Sequence, residues 1–323
     1  MLRLTSKKNS CGSNAPRLDR RLHNNEVAMD NEKLKPNSDF PHVCAVARGL
    51  EPDIETDFSA KLDYSGYLHL AELLSAQKPL SEPMQHDEIL FIIQHQTSEL
   101  WMKLLIHELQ AAIRFIQKDS LESCFKILAR VKQVQRMLFE QWAVLETLTP
   151  SEYMKFRGIF GHASGFQSVQ YRQLEFLFGN KDAATLKVYD HDPASLQVLK
   201  NTLESPSIYD EFLRCMARNG FKIPTDRIER NWSLPYEPSE EVVRAFAEVY
   251  NNPLLHWREY EMCEKLVDVD EAFALWRFRH MKTVERIIGF RKGTGGSSGV
   301  SFLKQVVDIH LFPELWQVRT LIS

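Results

Sequence analysis

Glycine is scarce in this chain, with only 13 among its 323 residues. An all-β protein of this length needs many tight turns, and glycine is one of the residues that such turns prefer. The shortage therefore argues against an all-β fold. Between residues 84 and 149 the sequence contains neither glycine nor proline. Because these two residues interrupt helices most strongly, we expect this stretch to form long helices.

Closely spaced cysteines and long apolar runs are also missing. The closest two of the five cysteines, Cys11 and Cys44, are 33 residues apart, so there is no CxxC pair for zinc, redox or haem-attachment chemistry. The run ILFII at residues 89–93 is far too short for a membrane span. The first residues include no apolar stretch of the kind found in secretory signals. We therefore expect a cytoplasmic protein with inert thiols.

Charge is nearly balanced, with 40 basic and 43 acidic residues and a net charge of −3. Such a balance supplies no field that would favour nucleic acid or an acidic membrane surface, so neither is expected as a partner. The distribution is uneven, because residues 1–28 carry six basic and two acidic side chains. Residues 1–50 are polar and irregular, which predicts a flexible N-terminal extension before a single helical domain over 51–323.

Apolar residues at three- and four-residue spacing predict the helices of that domain. One such face runs from about residue 87 to 118, and a second stripe runs from Phe125 to Leu145. The sequence TPSE at 149–152 has the pattern of a helix start. Further helices are expected at 62–77, 169–179, 193–203, 207–219, 239–251, 253–267, 269–288 and 300–320. The fold class is therefore all-α, a large helical bundle with an extended N-terminal arm.

Three short motifs come close to known catalytic signatures without matching them. His107 and Glu108 begin the zinc motif HExxH, but its second histidine is missing. The sequence GHASG at 161–165 has its serine one position too late for a nucleophile elbow. The glycine-rich loop GTGGSSG at 293–299 has no following GK[ST] for a phosphate site. By itself such a loop is more typical of a connector.

Two histidines occupy unusual positions on separate helices. His95 lies on the apolar face one turn after Phe91, and His280 lies on the apolar side of the predicted 269–288 helix. Each could be a hydrogen-bonded core histidine. The pair is also compatible with a haem pocket, in which one histidine ligates the iron and the other lies in the distal pocket.

A charged and a hydroxyl side chain are candidates for binding an amino acid. Arg157 lies next to Phe156 and close to Tyr153, where it could be a surface arginine over aromatic rings or a clamp for a carboxylate. Thr294 lies within the glycine-rich loop, where the backbone can approach a ligand closely. Its hydroxyl can donate to a carboxylate or accept from an ammonium. The two together would suit the polar end of an amino acid.

Four long segments, in order, resemble the signatures of the tryptophan 2,3-dioxygenase family. They are YSGYLHLAELLSAQKPLSEPMQHDEILFIIQHQTSELWMKLLIHEL at 64–109, FRGIFGHASGFQSVQYRQLE at 156–175, LWRFRHMKTVERIIGFRKGTGGSSGVSFL at 275–303 and LFPELWQVRT at 311–320. The resemblance covers roughly residues 60–321, and its motifs are long and specific. Two features depart from the family pattern: residues 1–50 have no counterpart, and His162 stands where a proline is common.

The resemblance implies an activity and an assembly. It implies a homotetramer whose subunits each bind one non-covalent haem b, with ferrous iron in the active form. The enzyme would open the indole ring of L-tryptophan with O₂ to give N-formyl-L-kynurenine, the first step of tryptophan degradation by the kynurenine pathway. A haem dioxygenase of the same fold that acts on another indole is one alternative. A non-enzymatic helical scaffold with two core histidines is another.

The resemblance also implies roles for individual residues. His280 matches the proximal ligand of the haem iron, and His95 matches the catalytic distal histidine that hydrogen-bonds the indole N–H, as a base or only to orient the ring. Arg157 matches the carboxylate clamp, and Thr294 matches a contact of the substrate's ammonium and carboxylate. The expected substrate pocket also includes Phe91, Ile92, Ile93, Gln94, Tyr153, Ser164 and Gly293, together with Tyr64, Tyr67 and Leu68 from an arm at about 60–80 that covers a neighbouring subunit's site.

Overall fold

A computed structural model describes residues 49–322 of the chain. The predicted extension over residues 1–50 therefore lies almost entirely outside the described residues. These residues divide into two units at Asp63. In the first, residues 49–63 form turns without a helix, and Lys61 pairs with Glu55. The second unit, from Tyr64 onward, contains every helix described below.

Regular structure within residues 49–322 is entirely helical, which confirms the all-α prediction. Four short 3₁₀ turns at Arg157–Phe160, Gly165–Gln167, Ala183–Tyr189 and Val318–Thr320 supplement the α-helices. The α-helices are α1 Tyr64–Leu68, α2 Leu70–Leu74, α3 Glu88–Ile116, α4 Leu121–Glu140, α5 Trp142–Leu145, α6 Pro150–Phe156, α7 Val169–Phe178, α8 Pro193–Leu203, α9 Ile208–Arg218, α10 Thr225–Ile228, α11 Glu240–Asn251, α12 Trp257–Ile288, α13 Val300–Val307 and α14 Pro313–Gln317.

The core of this unit forms where α4 packs against both α3 and α12. The apolar stripe predicted for α4 is buried at Leu128 and Val131, and it continues to Leu145 in α5. On α3, Leu105 and Leu109 are fully buried on one face. Burial of a side chain of this size contributes about 1.5–3 kcal/mol relative to exposure. The three helices thus provide a firmly packed frame for the residues at their edges.

Local sequence signals explain where several helices begin. The helix start predicted at TPSE is present, and Thr149 and Glu152 form a capping box there, in which the backbone N–H of Thr149 donates to the Glu152 carboxylate at 2.9 Å. Ser120 directly precedes α4, but its hydroxyl is paired with that of Ser123 at 2.9 Å and does not cap the helix.

None of the helices within residues 49–322 combines the length and the apolar character that crossing a membrane requires.

Three helix predictions need correction. Instead of two helices at 253–267 and 269–288, the chain forms the single helix α12, because no residue between them breaks the helix and Leu266 and Val269 continue one buried face. The helix expected at 62–77 is divided into α1 and α2 at His69, whose φ of 51° is left-handed.

The helix expected at 300–320 ends at Val307 and resumes at Pro313. Between them, the buried Asp270 carboxylate accepts the backbone N–H groups of Leu311 at 3.0 Å and Phe312 at 3.3 Å, and the Trp316 indole N–H at 2.8 Å. These bonds hold the turn in a non-helical conformation. Pro313 has no N–H with which to continue a helix from the preceding turn. The apolar residues recur on both sides of this break, and their pattern therefore overestimated the length of the helix.

Candidate active site

A cavity of about 610 Å³ opens between the long helices and the irregular segments of the unit that begins at Tyr64. Its size lies within the usual range for a ligand site. Helices α3, α5, α6, α7 and α12 supply part of the wall, and residues 157–168 and 293–306 supply the rest. The cavity brings together eight residues predicted from the sequence, namely Phe91, His95, Tyr153, Arg157, Ser164, His280, Gly293 and Thr294.

Other residues predicted for the site do not line this cavity. Phe91 and His95 are four residues apart and share one face of α3, so Ile92, Ile93 and Gln94 point elsewhere. Ile93 is largely exposed, whereas Gln94 is buried. Their predicted roles as substrate contacts stay predictions without support from this geometry.

The arm residues also lie outside the cavity. Tyr64 and Tyr67 are 75% and 71% exposed, and Leu68 is 39% exposed. Covering large apolar side chains of this kind with another protein surface removes apolar area from water and stabilises the resulting assembly. His162, the departure from the family pattern, is exposed, and its carbonyl accepts from the Gln167 side chain at 3.3 Å. It therefore helps to shape the loop without lining the cavity.

Aromatic rings surround His280 on its side of the cavity. The Trp142 ring stacks on the imidazole with centroids 4.9 Å apart, and the Trp276 ring lies 6.2 Å away at a similar tilt. Burial in this apolar wall and, to a smaller extent, the proximity of His95 together lower the pKa of His280 to about 4. A neutral imidazole has a lone pair available, which is the form that binds a metal. The setting therefore suits a ligating histidine.

His95 is held as a defined tautomer on α3. Its Nδ1 lies 2.7 Å from the carbonyl oxygen of Phe91, and since a carbonyl can only accept, Nδ1 donates the proton. Burial lowers the pKa of His95, so the ring is neutral near pH 7. Nε2 is then left as a hydrogen-bond acceptor. The Phe91 ring packs 4.1 Å from the imidazole and 4.9 Å from the Phe160 ring, which fixes the orientation of the histidine.

The opposite wall is irregular and polar. The Arg157 Nη2 donates to the carbonyl of Lys292 at 2.7 Å, and the Thr294 hydroxyl donates to the carbonyl of Ala163 at 2.5 Å. These two bonds join the segment after α6 to the glycine-rich loop. Within residues 49–322 the buried Arg157 Nε has no partner. An arginine with an unused donor at a cavity wall can take up an anionic ligand group.

The glycine-rich loop approaches the facing segment closely at one point. A side chain at Gly295 would place its Cβ 2.7 Å from the Cβ of Ser164 and 3.0 Å from its hydroxyl. Only glycine allows this approach without displacement of one segment. The Ser164 hydroxyl in turn accepts the backbone N–H of Phe166 at 3.3 Å, so Ser164 is itself held in place.

Sequence reasoning missed several residues of the wall. Trp142 and Trp276 line the cavity, and their indole N–H groups are buried without a partner in the described part of the chain. Helical spacing places Trp276, four residues before His280, on the same apolar side of the helix, but that position alone did not mark it as a site residue. Arg172 and Glu175 also line the wall and form a buried ion pair. Their spacing of three residues on α7 was the available signal.

Comparison with known proteins identifies the family of the chain. A family model for tryptophan 2,3-dioxygenase matches residues 52–322. The chain is 60% identical over 273 residues to the tryptophan 2,3-dioxygenase of Serratia proteamaculans (strain 568), covering 84% of this chain and 98% of that protein. The enzyme of Myxococcus xanthus (strain DK1622) is also 60% identical, with 84% and 94% covered. That of Xanthomonas campestris pv. campestris (strain B100) is 58% identical, with 84% and 92% covered. With a match over most of its length and such close relatives, this chain belongs to the tryptophan 2,3-dioxygenase family.

Proposed function

We propose that the chain is a haem-dependent dioxygenase that opens the indole ring of L-tryptophan with O₂ to give N-formyl-L-kynurenine, the first step of tryptophan degradation by the kynurenine pathway. One observation carries the proposal: a single cavity is lined by two histidines of lowered pKa and by an arginine and a threonine suited to an amino acid. Membership of the family supports the same reaction.

The residues around His280 fit a haem. No group of three or more His, Cys, Asp or Glu side chains within residues 49–322 could hold a bare metal ion. A single neutral imidazole in an aromatic wall instead suits an iron whose other ligands come from a macrocycle. The buried N–H groups of Trp142, Trp276 and Arg172 lack partners in the described residues and would suit the haem's carboxylates. We propose His280 as the proximal ligand of one haem b per subunit.

When bound in its ferrous form, haem b activates O₂, and both oxygen atoms enter the product. The protein's own contribution is to position the substrate. His95 offers the Nε2 lone pair to the indole N–H, and the same lone pair serves whether the histidine orients the ring or removes its proton. Phe91 and Phe160 provide an apolar wall for the ring and exclude water.

The polar end of the substrate is held by the opposite wall. Arg157 exchanges its bond to the Lys292 carbonyl for the substrate carboxylate, and Thr294 contacts the carboxylate and the ammonium. Fixing this end places the indole ring at a constant depth in the cavity, which lowers the entropic part of the barrier. An indole that lacks the carboxylate leaves the Arg157 donor without its partner, so free L-tryptophan is preferred.

A spectral titration with L-tryptophan tests the proposed function. The haem-loaded ferrous protein is titrated without oxygen while the Soret band is followed, and air is then admitted while product absorbance is recorded. A shifted Soret band followed by product formation is expected. A protein that takes up no haem would leave the scaffold alternative standing. Haem uptake with turnover of another indole, but none of L-tryptophan, would favour a haem dioxygenase of the same fold that acts on that other indole.

Assembly is part of the proposal, because the exposed arm needs a surface to cover. We propose a homotetramer in which Tyr64, Tyr67 and Leu68 lie over a neighbouring subunit's cavity, supported by the exposure of these residues. Deleting residues 1–28 should leave turnover intact, whereas deletion through Leu68 should abolish it. Light scattering measures the assembly in each case. Full activity after the longer deletion would exclude a role of the arm in the neighbouring subunit's site.

The cytoplasm is the proposed location, supported by the free thiols of the buried Cys124, Cys215 and Cys263.

A further inference from the structure

The loop wall of the cavity, formed by residues 157–168 and 293–306, contains no acidic residue, and neither do the helix turns that adjoin it. Residues 153–174 and 286–307 together hold 44 positions without an aspartate or glutamate, where the average for the chain would give about six. They carry seven cationic side chains, in a protein whose net charge is −3. The cations are Lys155, Arg157, Arg172, Arg286, Arg291, Lys292 and Lys304.

Four of these seven cations act on nearby acids. Arg172 is paired with Glu175 inside the wall. Lys155, Arg286 and Lys304 each lower the pKa of a glutamate outside the two segments, namely Glu152, Glu146 and Glu285 respectively. Their charge is therefore partly balanced. The remaining three, Arg157, Arg291 and Lys292, have no ion pair within residues 49–322.

These three cations lie close together at the cavity edge. Arg157 lines the cavity, and its guanidinium is bonded to the Lys292 carbonyl at 2.7 Å. Lys292 directly precedes the lining residue Gly293, and both Arg291 and Lys292 are exposed. Of the two acids among the described residues that line the cavity, Glu175 is paired with Arg172 and Arg277, whereas Glu99 is bonded to the neutral Gln170, keeps its charge on α3 and forms no ion pair with the three cations. The edge of the cavity is thus positive in a protein that is negative overall.

We propose that Arg157, Arg291 and Lys292 form an electropositive collar that selects indole ligands by charge before they enter the cavity. The collar attracts indoles that bear a carboxylate and repels indoles that bear only an ammonium. Arg157 alone makes the final contact, whereas Arg291 and Lys292 act from solvent. This inference rests on the proposed function only in that indoles are taken to enter this cavity.

Screening by salt distinguishes such a field from a direct contact. The Debye length shortens from about 20 Å at low salt to about 6 Å at 0.3 M, so exposed charges lose most of their reach. A buried hydrogen-bonded pair is screened far less. A clamp without a collar would therefore bind an anionic indole with little dependence on salt, whereas the collar makes that dependence steep.

Three indoles of different net charge provide the probes. Indole-3-propionate is anionic, L-tryptophan is a zwitterion, and tryptamine is cationic at neutral pH. Binding to the haem-loaded full chain is measured by calorimetry from about 0.02 to 0.3 M salt, the range over which screening sets in. We expect the affinity for indole-3-propionate to fall about three- to tenfold, and that for L-tryptophan to change less than about twofold. The affinity for tryptamine should rise over the same range.

The variant Arg291→Gln/Lys292→Gln removes the two solvent-exposed charges of the collar. It leaves the Lys292 carbonyl in place, so the bond from Arg157 is retained. The salt dependence for indole-3-propionate should shrink to about twofold. The matched control is Lys126→Gln/Lys222→Gln, which removes the same charge from two exposed lysines that do not line the cavity. It should keep the full dependence of the unmodified protein.

Two results would overturn the collar. One is an unchanged salt dependence in the Arg291→Gln/Lys292→Gln protein. The other is an equal reduction in the control, which would assign the effect to net charge. Neither result depends on turnover, so failure of the collar differs from failure of the proposed function. A protein that shows charge-dependent binding of these indoles but never oxidises L-tryptophan would retain the collar and lose the dioxygenase.

Discussion

The helical wall and the loop wall of the cavity are built in different ways. In the helical wall, α3 and α12 place His95 and His280 next to firmly packed apolar faces, and aromatic rings fix both imidazoles. In the loop wall, Arg157 and Thr294 are held by hydrogen bonds to backbone carbonyls. One wall is fixed by packing, and the other by bonds that a ligand can replace.

This difference assigns separate tasks to the two walls. A metal ligand must keep its position throughout a reaction, and a residue on a 32-residue helix that packs against α4 can do so. A substrate contact must form and break in each turnover. Arg157 and Thr294 can exchange one acceptor for another at small net cost, since a typical hydrogen bond contributes only about 0.5–1.5 kcal/mol net. The proposed cofactor chemistry thus belongs to the helical wall, and substrate selection to the loop wall.

The largest expected effect comes from removing the metal ligand of the helical wall. His280→Ala should abolish haem binding, because one other histidine lines the cavity within residues 49–322, and that residue, His95, lies on α3 and is assigned to the indole N–H of the substrate. The Soret absorbance per subunit measures this loss after reconstitution with haem. His107→Ala is the control, since His107 is exposed on the same helix as His95 and should leave haem content unchanged. A His280→Ala protein with a five-coordinate histidine spectrum would disprove the assignment.

A smaller effect is expected in the loop wall. Arg157→Ala should leave haem content unchanged and weaken L-tryptophan binding about ten- to 150-fold, which corresponds to roughly 1.5–3 kcal/mol for a hydrogen bond to a charged group. Titration of the Soret band without oxygen measures the affinity. Arg114→Ala changes the same residue type in the last turn of α3, away from the cavity, and should not alter it. Unchanged affinity in Arg157→Ala would remove the carboxylate clamp.

The helical wall was largely predictable from the sequence, and the loop wall was not. Spacing placed Phe91 and His95 on one face of a long helix, and in the structure both lie on α3 with their rings in contact. The same periodicity could not show that α12 is uninterrupted or that the last helix stops at Val307. The latter depends on the Asp270 carboxylate, which lies about 40 residues earlier in the chain.

The loop wall depends on contacts between segments more than 130 positions apart. The bond from Thr294 to the Ala163 carbonyl and that from Arg157 to the Lys292 carbonyl join residues that no local pattern relates. Residue chemistry made Arg157 and Thr294 candidates for binding an amino acid, and the family resemblance then assigned their roles. The resemblance also included Ile92, Ile93 and Gln94 as pocket residues. These three face away from the cavity, because a helix presents only one face to a cavity.

The smallest expected effect tests whether the loop wall must close tightly. Gly295→Ala places a methyl group 2.7 Å from the Ser164 Cβ, so the glycine-rich loop must move away from the facing segment. Because Thr294 moves with it, we expect KM for L-tryptophan to rise about three- to tenfold with haem content unchanged, a loss of about one hydrogen bond. Steady-state kinetics measure this change.

Two further variants decide whether the contact at Gly295 is the cause. Gly158→Ala is the control, since a Cβ at Gly158 meets no atom within 4 Å, and its KM should stay at the original value. Ser164→Gly combined with Gly295→Ala removes the side chain that the new methyl group meets, and it should restore much of the lost affinity. If the double variant binds no better than Gly295→Ala alone, the close approach of the two segments does not hold Thr294 in place. Thr294 would then depend on its bond to the Ala163 carbonyl alone, and the loop wall would differ from the helical wall in having no close packing at all at this point.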